Sequence, residues 1–208
     1  MNKVYRVDQL ADGIFAIIMT LLILDLRVPT VRITTEATLW QGIVDTGPLF
    51  LTFFVSFLIL FTYWRAHHFI VSTYAKNLTA GLANYNAIFF ILIALIPFSS
   101  KFLSTYPGLR APIIFYGINV ILIGAALYFM RRHIEKSPNI QTVSLPVDQI
   151  GGGYIRILLP VFFALIAVVL SIWNTYLPIV LFTIAIIFNL LPGTSSWLYH
   201  HLAGHSKH

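Results

Sequence analysis

Apolar residues in this chain fall in blocks of membrane-spanning length, separated by short polar stretches, with neither alternation nor amphipathic scatter. The first block runs from about Leu10 to Leu26, fenced by Asp12 near its start and by Asp25 and Arg27 at its end. The second runs from Pro48 to about Trp64, with Arg65, His67 and His68 beyond it. The third covers about Leu82 to Phe98, after a polar stretch holding Lys76 and Asn77. The fourth covers about Pro112 to Met130 and stops at Arg131, Arg132 and His133. The fifth runs from about Ile155 to Trp173, and the sixth from about Tyr176 to Leu191, ended by Pro192 and Gly193. Pro48, Pro112 and Pro178 each fit the first turn of a helix, where a missing N–H costs nothing. The pattern predicts an all-α integral membrane protein with six transmembrane helices in one domain, residues 1–208. The longest linker, Ile134 to Gly153, holds Pro138, Pro146 and three consecutive glycines, and is expected to be a loop. The first block does not recur later, which weighs against inverted-repeat transporter folds.

Composition agrees with that pattern. Hydrophobic residues fill 58% of 208 positions and charged residues 10%, whereas a soluble domain carries roughly a quarter charged residues. Without cysteine there is no disulfide framework, thiolate metal site or Cys nucleophile. A net charge of +6 can point to nucleic acid, but these cations cluster at the ends of apolar blocks, as membrane-edge anchors do. Lys3 and Arg6 precede the first block as in a signal peptide; Asp8, Asp12 and the lack of a small-residue cleavage site argue for a mature helix. With the N-terminus inside, Lys3, Arg6, Arg65, Lys76, Arg131, Arg132, Lys136, Arg156 and Lys207 face the cytoplasm, and Arg27, Arg32, Lys101 and Arg110 face out. Nine cations against four predict both termini in the cytoplasm.

The unusual segment is RVDQLADGIFAIIMTLLILDL, Arg6 to Leu26, in which acidic residues precede a run that is apolar except for Thr20. On a helix Ile17, Thr20, Leu21 and Leu24 form one stripe, and such stripes ordinarily pack on neighbouring helices. His67 and His68 suggest metal, yet adjacent helical residues point apart and no nearby carboxylate or Cys completes a tetrahedron. His200, His201 and His205 read as a solvated tail. Nothing resembles a nucleophile–base pair, a phosphate loop or an H-E-x-x-H site, so no enzyme activity and no resident cofactor are expected.

Arg6, Leu10, Ala11 and Asp12 stand where the transmembrane protein 175 family of potassium channels has R-x-x-x-F-S-D, with Leu and Ala in place of its Phe and Ser. The following GIFAIIMTLLILDL resembles that family's first helix, and Tyr63 to His68 (YWRAHH) its W-x-x-H ending of the second. Asn86 and Ala94 to Phe98 (ALIPF) are similar to its third. The resemblance implies the architecture of the family's prokaryotic-type members: homotetramers of six-helix subunits in the cell membrane. Their first helices line a central pore that conducts potassium passively, without a re-entrant carbonyl filter; no TVGYG-like segment occurs here. By position, the pore stripe would be Ile17, Thr20, Leu21 and Leu24, a tight zone ~10 Å long at 1.5 Å per residue. Rings of isoleucine or leucine can close a pore by excluding water, and a ring of Thr20 hydroxyls can replace part of an ion's hydration. Arg6 and Asp12, on different faces of their helix, are expected to join a structural network with Trp64, His67 and Asn86.

The alternative reading is a small secondary transporter or proton-coupled carrier using Asp12 and the histidines as a relay. Conductance separates the two, since a channel passes currents far above transporter turnover.

Overall fold

A computed structural model describes residues 3–28, 35–140, 142–144, 147–175 and 177–190, together with His201. Helix α1 (Lys3–Leu21) tightens into a 3-10 turn (Leu22–Asp25). A short helix α2 (Glu36–Asp45) then leads into α3 (Gly47–His68), which runs on through a π-helical turn (Phe69–Tyr74). The chain continues through α4 (Ala80–Ala94), α5 (Ile96–Thr105), α6 (Arg110–Lys136), α7 (Val147–Leu170) and α8 (Leu177–Leu190). Five stretches are long and apolar enough to cross a bilayer: Val4–Asp25, Gly47–Tyr74, Ala80–Thr105, Arg110–Lys136 and Gly151–Leu170. The sixth apolar block forms α8, of 14 described residues; Tyr176, Leu191 and the expected Pro192-Gly193 stop lie outside the described residues.

Several boundaries differ from the pattern-based expectation, each for a local reason. The third block is not one straight helix. Pro97 sits in the first turn of α5, where the ring removes an N–H from the ladder, and the helix breaks at Leu95 before continuing to Thr105. The second helix does not stop at Trp64: Arg65 to His68 remain helical because His67 turns inward and is fully buried. The linker from Ile134 is shorter than expected, since α6 runs to Lys136 and α7 begins at Val147. The glycine run therefore lies inside α7, where it makes room for Arg131. A Cβ on Gly153 would stand 2.3 Å from Arg131 Nη1. Helix α2 was not foreseen; Thr35 caps it through a reciprocal Thr35–Thr38 box.

Helix α6 is the centre of the bundle, packing on α4, α5 and most extensively on α7. Small residues allow this. A Cβ on Gly124 would lie 2.1 Å from Val161 Cγ2, and one on Gly117 would lie 2.4 Å from Val168 Cγ2. Between membrane helices, such close approach is a main source of association, because lipid is as apolar as the side chains. Buried polar groups are tied across the same core. Ser56 Oγ lies 3.0 Å from both Ser100 Oγ and the Tyr116 hydroxyl, and the Tyr63 hydroxyl donates to the Val120 carbonyl at 2.8 Å. With no water in hydrocarbon, such groups must find partners within the protein.

Candidate functional site

Helix α1 has two unlike faces. Val4, Asp8, Ala11, Phe15, Ile18 and Leu22 recur at helical spacing and are buried against α3, α4 and their connecting turn. Phe15 meets the Phe89 ring of α4 at 6.0 Å between centroids. The opposite face carries Ile17, Leu21 and Leu24, which are 61%, 44% and 69% exposed in the subunit. Thr20 is exposed among them, and a Cβ on Gly13 would meet nothing within 4 Å. All four stripe residues thus lie on a face that no other described part of the chain covers.

The stripe is longer than an ideal helix makes it. From Leu22 the chain is 3-10, rising about 2 Å per residue in place of 1.5 Å, so Ile17 to Leu24 spans about 12 Å and not ~10 Å. The Thr20 hydroxyl lies 2.8 Å from both the Ala16 and Ile17 carbonyls, so its proton is directed back into the helix. The oxygen lone pairs remain available on the exposed side, which suits acceptance of a cation but not donation to an anion.

The first turns of α1 are fastened to α3 by an antiparallel pair of contacts. The Trp64 indole N–H donates to Asp12 Oδ1 at 2.8 Å, and His68 Nδ1 lies 3.1 Å from Asp8 Oδ1. His68 also stacks on Trp64, at 5.9 Å and 25°. Asp8 and Asp12 are i,i+4 on one helix, as are Trp64 and His68 on the other, so the two rungs share one interface. Asp8 and His68 were not among the expected network residues. Their matched i,i+4 spacing in two antiparallel helices is the signal that could have found them.

The expected five-residue network divides. Asp12 and Trp64 form one unit. His67 and Asn86 form another, with His67 Nε2 at 2.6 Å from Asn86 Oδ1. Asn86 Nδ2 donates to the Leu82 carbonyl at 2.8 Å, which assigns Oδ1 as the acceptor and His67 Nε2–H as the donor. The buried imidazole lies nearly parallel to Phe89, 5.0 Å away. Arg6 is exposed and joins neither unit among the described residues. His67 and His68 turn to different partners, so they do not share a ligand site. Of the three tail histidines, His200 and His205 lie outside the described residues. At the other end of α1, Lys101 Nζ contacts Asp25 Oδ1 at 2.7 Å and ties the 3-10 turn to α5.

Comparison with known proteins places this arrangement. Residues 6–97 match the family model described as endosomal/lysosomal potassium channel TMEM175. The matched segment is 92 residues long, under half of the chain. It contains every residue of the stripe and of the two polar units. A potassium channel of Chryseobacterium sp. (strain P1-3) is 30% identical over 122 residues, 58% of this chain and 59% of that protein. One from Streptomyces collinus is 33% identical over 106 residues, 51% of this chain and 50% of that one. The human endosomal/lysosomal proton channel TMEM175 is 37% identical over 93 residues, 41% of this chain and 18% of that protein. The chain thus aligns with little more than half the length of its bacterial relatives. The fold likeness reaches further. The crystal structure of a lysosomal potassium-selective channel TMEM175 homolog from Chamaesiphon minutus superposes with a TM-score of 0.76 at 22% identity. It covers 90% of this chain and 96% of that one. The chain is an integral membrane protein with the TMEM175 fold. Of the two departures from the family pattern, Ala11 is buried and Leu10 is 56% exposed.

Proposed function

We propose that this protein is a passive, potassium-selective channel: a homotetramer of six-helix subunits in the cell membrane, both termini cytoplasmic, with four copies of α1 around a central pore. The observation that carries this reading is the uncovered stripe of Ile17, Thr20, Leu21 and Leu24 on a helix whose other face is packed and anchored. Thr20 is the one polar position in that stripe, and with its proton turned to the helix its lone pairs can meet a permeating cation. Potassium is the permeant species and no cofactor takes part. The relatives named potassium channels lend the ion.

Ile17, Leu21 and Leu24 act as the apolar constriction, closing by exclusion of water. Four Thr20 oxygens at the axis coordinate the dehydrating ion through their lone pairs. A tenfold preference between two ions corresponds to ~1.4 kcal/mol, or a few tenths per hydroxyl, within reach of a weak polar contact. The Asp12–Trp64 and His67–Asn86 units hold α1 and α4 against α3, so that the stripe keeps its angle to the axis. Arg6 contributes as an interfacial cation.

The test is ion flux in proteoliposomes with potassium and sodium gradients exchanged, comparing wild type with Ile17→Asn. Wild type should pass potassium in preference to sodium, and the amide should wet the constriction and raise resting flux. Absence of flux in wild type, together with a monomeric protein by light scattering, sinks the channel reading. An assembled Ile17→Asn channel no leakier than wild type removes Ile17 from the gate alone.

A further inference from the structure

A charged hollow lies away from the α1 face. Near the C-terminal end of α6 a cavity of about 420 Å³ is lined by Tyr85, Tyr128, Phe129, Arg132, His133 and Lys136. Five of these come from successive turns of α6 and Tyr85 faces them from α4. The His133 ring sits 5.1 Å from the Tyr85 ring, over Gly81, where a Cβ would stand 2.7 Å from its Nε2. Among the described residues no acidic side chain lines the hollow. Glu135, next along α6, accepts from the buried Arg131 Nε at 3.1 Å and from the Tyr154 hydroxyl. Arg132 Nη1 is 4.0 Å from that carboxylate, and the side chain, nearly half exposed, also lines the hollow.

The position matters as much as the charge. Arg132 and Lys136 are one turn apart at the last residues of a 27-residue span, with Tyr128 and Phe129 one turn deeper. Cations outside aromatic rings mark the headgroup level of a bilayer. Below the hollow, Phe115, Ile118, Leu122 and Phe129 are exposed along α6. That apolar strip runs 14 rises from Phe115 to Phe129, about 21 Å at 1.5 Å each, enough to follow an acyl chain through the roughly 15 Å hydrocarbon depth of one leaflet.

We propose that this hollow is a binding site for an anionic phospholipid. Its phosphate lies between Arg132 and Lys136, its glycerol against Tyr85 and Tyr128, and an acyl chain along Phe129, Leu122, Ile118 and Phe115. Basic pockets between helices at a membrane face take acidic headgroups in this way. A free phosphate offers the same charge but nothing for the apolar strip. The site does not depend on whether the protein conducts ions.

The experiment is native mass spectrometry of the full-length protein in neutral detergent, titrated with phosphatidylglycerol, phosphatidylcholine or inorganic phosphate. Wild type should bind phosphatidylglycerol selectively. Arg132→Gln/Lys136→Gln should bind it roughly thirty-fold more weakly, from the two surface cations removed, while phosphatidylcholine binding is unchanged. Arg65→Gln/Lys76→Gln, with the same charge loss elsewhere, should bind like wild type. Equal loss in both double variants would mean diffuse attraction and overturn the site. So would full retention in Arg132→Gln/Lys136→Gln, or inorganic phosphate binding as tightly as phosphatidylglycerol. Should that double variant not fold, Lys136→Glu alone at the exposed helix end carries the same comparison.

Discussion

Helices α1 and α6 are both apolar enough to cross a bilayer, yet 28% of the apolar window of α1 is buried within the subunit against 56% of that of α6. The difference lies in what each helix offers its neighbours. Helix α6 carries Gly117 and Gly124, which admit α7 to van der Waals contact, and Tyr116 and Asn119, which bond into the core. Helix α1 buries one face on Phe15, Ile18 and Leu22 and leaves the other apolar and uncovered. Hydropathy reports that a helix belongs in the membrane; it does not report whether the helix faces protein, lipid or a pore. The ends of the two helices differ in the same sense. The Arg131 side chain is 1% exposed, with its guanidinium 3.9 Å over the Tyr154 ring, whereas Asp12 holds Trp64 at an exposed edge.

If α6 is the structural centre and α1 the functional face, substitutions should divide into those that unfold the subunit and those that change only what passes it. The largest effect is expected at Arg131. Removing one member of a buried ion pair typically costs 3–5 kcal/mol. Because Glu135 keeps the Tyr154 hydroxyl, Arg131→Ala should destabilise by about 3 kcal/mol, read as a lowered midpoint of thermal unfolding in detergent. Asp12→Ala should cost about 1 kcal/mol by the same measurement, since a charge-assisted hydrogen bond at an exposed edge is partly replaced by water. If the Asp12 variant proves the less stable of the two, the division between the helices is drawn wrongly. The smallest effect on folding belongs to Thr20→Val. It keeps the β-branched shape and should leave the midpoint within the ~0.5 kcal/mol typical of surface changes. Its consequence should appear in bi-ionic reversal potentials, with potassium-over-sodium preference falling toward unity. Coincident potentials for Thr20→Val and wild type would remove Thr20 from the selectivity argument.

Much of the α1 face is legible in the chain itself, because a stripe at i, i+3, i+4 and i+7 needs only helical periodicity. Its true length is not, since the tightening at Leu22 leaves no mark in an unbroken run of Leu and Ile. The Asp12–Trp64 contact joins residues 52 apart in sequence, and only the packing of α1 on α3 brings them together. Arg131 is the plainest case. The pattern reads Arg131 and Arg132 alike as interfacial cations, yet Arg131 is buried under Tyr154 while Arg132 lines the hollow.

What the sequence determines by itself is the class of structure. Long apolar blocks cannot be solvated, and in hydrocarbon each backbone N–H must be paired within its own segment, so the blocks become helices across a membrane. Periodicity groups the residues of a face, but which neighbour that face meets was decided by tertiary structure alone. Apolar side chains are interchangeable to lipid and to protein, so the choice rests on pairwise fits that hydropathy does not encode: Gly124 against Val161, Gly153 beneath Arg131, and Asn86 opposite His67.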